Sequence, residues 1–183
     1  MKTPINMKKE GEGIFFVKGP LVKIGDVEIN FLKEAAHHNG RKSARLCTHG
    51  DITDLVQEML ILHSKETYVH PHKHPAKSVS YHIIEGIADM VLFDEQGEIR
   101  DVMPIGKFGT GSTSFFRLNE EVYYLPLVRS DFLLFHETIK GPFKPSATIY
   151  APWAPDGDDP VEVERFRKGL TLKISKFRKP SLV

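Results

Sequence analysis

The sequence predicts a strand-rich sandwich or barrel with helical elements at both ends. Three observations carry this. From Arg41 onward, short runs with apolar alternation recur at near-regular spacing, separated by turn signals. Helix caps and 3.6-residue periodicity occur only before and after that region. Within it, His70, His72 and His74 alternate with other residues, so an extended strand would place all three on one face.

The elements follow in order. Residues 1–13 are polar and rich in Gly and Lys. Ile14–Val17 and Leu21–Ile24 read as short strands around the Gly19-Pro20 turn. From Val27 to His38, the spacing of Ile29, Leu32, Ala35 and Ala36 suits an amphipathic helix, with Asp26 as N-cap and Asn39-Gly40 as stop. The strand series is Ala44–His49, Glu58–His63, Thr67–His74, Ser78–Glu85, Ala88–Phe93, Ile99–Pro104, Ser114–Leu118, Val122–Leu127, Phe132–Glu137 and Ala147–Tyr150. Leu55, Val56 and Met59 also have helical spacing, so a short helix over Asp51–Met59 is the alternative there. Asp159 as N-cap, Pro160 at the first helical position and Glu162 in the first turn start a last helix, with Lys168 and Gly169 suited to its end. This gives an N-terminal extension over 1–43, a barrel over 44–155, and a C-terminal helix with a basic tail over 156–183.

Composition narrows the function. Apolar residues make up 40% and charged residues 27%, which suits one globular core. A formal net charge of +1 argues against a nucleic-acid partner held by bulk electrostatics. The locally basic Lys168–Lys179 segment reads as a solvated helix face. No apolar run approaches 18 residues, so no membrane partner is expected. The single cysteine, Cys47, rules out an internal disulfide framework, reads as a small buried side chain and makes a reducing cytoplasm the simplest compartment.

Five of the nine histidines lie between His63 and His82. Imidazoles converging from one strand build a metal site or an acid/base site. Jelly-roll cupins bind metal through His-x-His, three or four residues, Glu, six residues and Gly. Here His72-Lys73-His74, four residues, position 79, six residues and Gly86 repeat that spacing, with Val79 in place of Glu. The chain further resembles cupins of the WbuC type. The residues that carry this are Arg41–Arg45, Tyr68–His74, Val91–Asp94, Phe135-His136-Glu137, Gly141-Pro142-Phe143 and Tyr150–Pro155.

The resemblance spans about residues 26–157 and implies a cupin jelly roll (a double-stranded β-helix barrel) in a bacterial surface-polysaccharide, O-antigen setting. It also implies a second-motif histidine, whose place is taken by Tyr124 when the chain is aligned on Gly141-Pro142-Phe143. One divalent ion (Zn, Fe, Mn or Ni) would then rest on His72 and His74, with His70, Tyr124 or Glu137 as a substitute ligand. With position 79 in the motif's inward-facing ligand place, counting by two from it turns Tyr81 and Ile83 inward and His82 outward.

Three functions compete. The first is a metal-free isomerase or epimerase of a sugar or nucleotide-sugar. His74 or His72 would be its base and Tyr124 or Tyr81 its proton donor, with Arg117 and Arg129 available for a diphosphate. The second is a metal-dependent cupin. The third is a non-catalytic module that binds a sugar or a partner protein, which Val79 favours. A homodimer formed by exchange of the N-terminal strands would cover exposed edges. No partner is read for His63, while His82 and His136 read as surface or hydrogen-bonded residues.

Overall fold

A computed structural model describes residues 6–178; residues 1–5 and the end of the basic tail, 179–183, lie outside the described residues. The chain runs β1 (Met7–Gly11), β2 (Ile14–Val17), α1 (Asp26–His37), β3 (Ser43–Cys47), β4 (Val56–Ser64), β5 (His72–Lys73), β6 (Val79–Glu85), β7 (Ile87–Phe93), β8 (Ile99–Gly106), β9 (Phe115–Leu118), β10 (Tyr123–Val128), β11 (Phe132–Lys140), a 3-10 turn (Pro145–Ala147), β12 (Ile149–Tyr150) and α2 (Pro160–Phe177).

Two sheets face each other. One has seven strands in the order β1-β2-β3-β4-β11-β6-β9, the other five in the order β12-β5-β10-β7-β8. Early and late strands interleave in both, as the two Greek keys of a jelly roll require. The fold is the cupin double-stranded β-helix, mainly β with a helix on the outside of each sheet.

Three apolar layers follow from strand alternation. Met59, Ile61, Val79, Tyr81, Ile83, Met90, Tyr124 and Phe135 fill the space between the sheets. Ala44, Leu46, Leu60, Leu62 and Leu134 point the other way, onto Leu32 and Ala36 of α1. Val91, Phe93, Tyr123, Leu125 and Leu127 point out of the second sheet onto Leu170 and Ile174 of α2. At the end of α2, Arg178 reaches back to the buried Asp89 (2.5 Å), which also holds Arg129 (2.6 Å).

The structure departs from the sequence expectations at the ends. Leu21–Ile24 forms no strand; it is an unpaired lead into α1, and Val22 and Ile24 pack beside that helix. The added strand is instead β1, which pairs antiparallel with β2 despite its charged MKKEG composition. Asp26 is the first helical residue and Gly25 the N-cap, whose N–H donates to the Glu28 carboxylate at 2.9 Å. The short helix over Asp51–Met59 does not form, because Val56 already pairs with Lys140. Thr67–His74 contributes only His72–Lys73 to a sheet: Pro71 has no N–H to donate, and pairing starts after it, on Tyr124 and Tyr150. Ala147–Tyr150 is a strand only over its last two residues. Asp159 caps α2 through the Val161 and Glu162 N–H groups as expected. The helix nonetheless runs on through Gly169 to Phe177, because burial of Leu170 and Ile174 outweighs the roughly 1 kcal/mol a helical glycine costs.

The turn from β6 to β7 fixes the end of the motif strand. Gly86 has φ +88, and a Cβ there would lie 2.1 Å from the Phe132 carbonyl oxygen, so only glycine fits.

Candidate functional site

The site lies between the sheets, where β5 crosses β10. His72 pairs directly with Tyr124, and their rings are 4.8 Å apart. The His74 ring lies 5.1 Å from that of His72 and 6.2 Å from that of Tyr124. His72 Nδ1 donates to the His70 carbonyl at 2.9 Å. That bond sets the tautomer and leaves the Nε2 lone pair free. His74 Nδ1 is held near the Ala147 carbonyl (3.4 Å) and Thr148 Oγ1 (3.3 Å).

From the other sheet, Tyr81 brings its hydroxyl to 3.5 Å from that of Tyr124. It pairs across β6 and β11 with Glu137 and also hydrogen-bonds the Glu137 carboxylate. One phenolic proton thus serves two acceptors. Val79, Tyr81 and Ile83 face inward and His82 is exposed, as alternation about position 79 requires; the turn at Pro75-Ala76 gives them the opposite parity to His72.

Burial sets the protonation states. Burial first, with the charges of Arg45 and His72 behind it, pushes the His63 imidazole down to about 3. Burial, opposed by the bond to His70, pulls His72 down to about 4. His74 is lowered too, by burial and by Lys77. Both tyrosines are pushed above the usual phenol range by burial, and then by Glu137. Burial raises Glu137, against the Tyr81 hydrogen bond and Arg45. Near neutral pH the interior therefore holds neutral imidazoles and protonated phenols. His63, His72, His74, Glu137 and Arg45 each keep partial solvent contact, whereas Tyr81 and Tyr124 are buried.

Three expected residues do not join. His70 turns its Nε2 to the Ala151 carbonyl (3.0 Å) and packs on Tyr150, away from His74. Arg117 lies on the outer face, bonded to Asn119 and Ser78. Arg129 is committed to Asp89. Two residues without an assigned role do join. His63 faces inward from β4 and bonds Ser43 Oγ at 2.8 Å, and Arg45 faces inward from β3. The signal for Arg45 was present in Ser43-Ala44-Arg45-Leu46-Cys47, where the apolar Ala44 and Leu46 claim one face and leave Arg45 to the other.

The side chains present among the described residues form no clear group for a divalent ion. Among the described residues no three His, Cys, Asp or Glu side chains stand together as an ion-holding group. Val79, in the usual ligand position, is 2% exposed and has no donor atom. A catalytic zinc takes three protein ligands, and His72 with His74 supply two. A separate cleft of about 460 Å³, lined by Trp153, Pro155, Asp156, Asp159, Glu162, Arg165 and Phe166, carries none of the histidines.

The fold defines a cupin-class barrel. A family model described as a domain of unknown function (DUF6016) matches residues 24–105. No curated protein matches the chain. Among solved structures, the chain is similar to a protein from Shewanella oneidensis (16% identity, TM-score 0.46, covering 56% of this chain and 66% of that one). It is similar to a cupin 2 conserved barrel protein from Rhodopseudomonas palustris (13% identity, TM-score 0.46, covering 67% and 73%). It is also similar to an oxalate decarboxylase from Bacillus subtilis (16% identity, TM-score 0.47, covering 75% of this chain and 35% of that one). Among the described residues no helix is long and apolar enough to cross a membrane.

Proposed function

We propose that the cavity is a metal-independent acid/base site that isomerises or epimerises a sugar or nucleotide-sugar, in the surface-polysaccharide setting implied by the WbuC-type resemblance. The observation that carries this is the closeness of His74 and Tyr124, whose rings lie 6.2 Å apart on neighbouring segments of one sheet, with His74 keeping partial solvent contact. A neutral imidazole is a base; a phenol held above its usual range keeps its proton until a stronger base appears. His74, the less deeply set of the two imidazoles, removes the C–H proton next to a substrate carbonyl. The electron pair moves to the carbonyl oxygen, which takes the Tyr124 proton. Return of both protons, on the opposite face or at the neighbouring carbon, gives the epimer or the isomer and regenerates the site. Tyr81 and Glu137 back up Tyr124 with the shared hydroxyl proton.

The test is C–H exchange of keto-sugars and nucleotide-sugars in heavy water, followed by proton NMR. Wild-type protein should wash deuterium into the position next to the carbonyl, and His74→Ala and Tyr124→Phe should each lose most of that rate. Binding without exchange across the panel would point to the second reading, a non-catalytic module, which the apolar Val79 supports. The proposal keeps a homodimer, with β1, the edge of its sheet, as the strand open to exchange.

A further inference from the structure

We infer that Arg45 anchors an oxyanion, a carboxylate or a phosphate, of the molecule bound in the barrel. This deepens the acid/base reading of the same cavity and rests on it.

Three observations support the assignment. First, β3 alternates cleanly. Ala44 and Leu46 pack onto α1, so Ser43, Arg45 and Cys47 take the barrel face. Arg45 pairs with Ile61, an interior residue, on the neighbouring strand.

Second, the guanidinium is unspent. Arg129 and Arg178 share Asp89, Arg100 pairs with Glu120, Arg165 with Glu162, and Arg117 bonds Ser78 and Asn119. Arg45 has neither an ion pair nor a side-chain hydrogen bond among the described residues. Its charge reaches His63, His72 and Glu137, but no carboxylate is within ion-pair distance. A partly buried cation with five fixed N–H donors and no carboxylate within ion-pair distance is suited to a ligand that brings one.

Third, the surroundings of His74 are positive as well. Lys77 stands beside His74, donates to the Pro142 carbonyl at 3.0 Å, and has Lys140 and Lys144 for neighbours. A neutral sugar would gain nothing from this field. A substrate with a carboxylate or phosphate would be drawn in, and its carbonyl would then lie between the anchor, His74 and Tyr124.

Calorimetric titration of the full chain with malonate, inorganic phosphate and the neutral malonamide tests this. One of the two anions should bind measurably, at least about tenfold more tightly than malonamide, and which one binds tells carboxylate from phosphate. Arg45→Gln should lose at least about tenfold of that affinity, Arg45→Lys should lose less, and the outer-face Arg117→Gln should lose none. Equal binding of malonamide, or anion binding unchanged in Arg45→Gln, overturns the assignment. The comparison of malonate with malonamide needs no variant, so it stands even if Arg45→Gln does not fold. These probes undergo no reaction. An anion site without isotope exchange would therefore sink the chemistry and spare the anchor; exchange on neutral sugars with no anion preference would do the reverse.

Discussion

Replacing Val79 by Glu restores the residue that the His-x-His spacing leads one to expect, and the structure says the exchange is costly. Val79 is 2% exposed in the interior apolar cluster, paired with Ile139 on β11 and Leu118 on β9. The glutamate stem can replace the lost methyl contacts, so the cost is that of the carboxylate. An uncompensated buried charge costs about 3–5 kcal/mol, less whatever is recovered by taking up a proton. For a chain of this size that is a fall in Tm of about 6–20 °C.

The sign of the pH dependence follows from burial. The new carboxyl has its folded pKa raised above its unfolded value of about 4.3, so the folded state binds the extra proton in between. The penalty is full above the folded pKa and vanishes below the unfolded one, so the gap between variant and wild type narrows as pH falls. The assay is thermal unfolding of both proteins in chelator-containing buffer at several pH values between 8 and 5. A Val79→Glu protein that melts with the wild type at pH 8, or a gap that widens on acidification, would refute the claim that this position is closed apolar packing.

Other outcomes follow from the same geometry. Adding zinc or manganese to the wild type, or stripping it with a chelator, should leave Tm within about 1 °C, because a ligand stabilises only a state that binds it. His63 has its pKa depressed in the folded state to about 3 against an unfolded value near 6.5, so the unfolded chain binds more protons between them. Its stabilisation is present above about pH 6.5 and lost toward pH 3; His63→Gln, measured by urea unfolding from pH 7 to 4, should show a shallower decline. Cys47, pushed up to about 11 by burial, should resist a thiol reagent at pH 8 in the native protein and react on unfolding. Gly97 has φ +85, and a Cβ there would come within 2.7 Å of the Trp153 ring; Gly97→Ala should cost about 1–3 kcal/mol and change the indole fluorescence.

How much of this was legible in the sequence depends on what each residue's neighbours had already declared. The order His72, His74, position 79 and Gly86 revealed the motif strand, because period-two alternation and a glycine-only turn are local properties. The inward set Val79, Tyr81 and Ile83 followed from alternation about position 79, and Asp159-Pro160 marked the start of α2 by cap chemistry alone. What failed was tertiary. Nothing in Met7–Gly11 announces a strand; it is one because β2 offers an edge to pair with. Gly169 reads as a stop, yet Leu170 and Ile174 find the outer face of the five-stranded sheet and carry the helix past it.

The site shows the same division. His70 shares the parity of His72 and His74, but Pro71 keeps the segment before β5 out of the sheet, and the His70 ring goes to Ala151 instead. Arg45 and His63 were hidden for a different reason. They come from strands that the His-x-His motif does not mention, and their faces are decided by α1, which takes Ala44, Leu46, Leu60 and Leu62 for itself. Once that helix claims one face of β3 and β4, the polar residues on the other face must enter the barrel. The N-terminal helix therefore does more than cover a sheet: by fixing which side of β3 is apolar, it turns Arg45 to the barrel face.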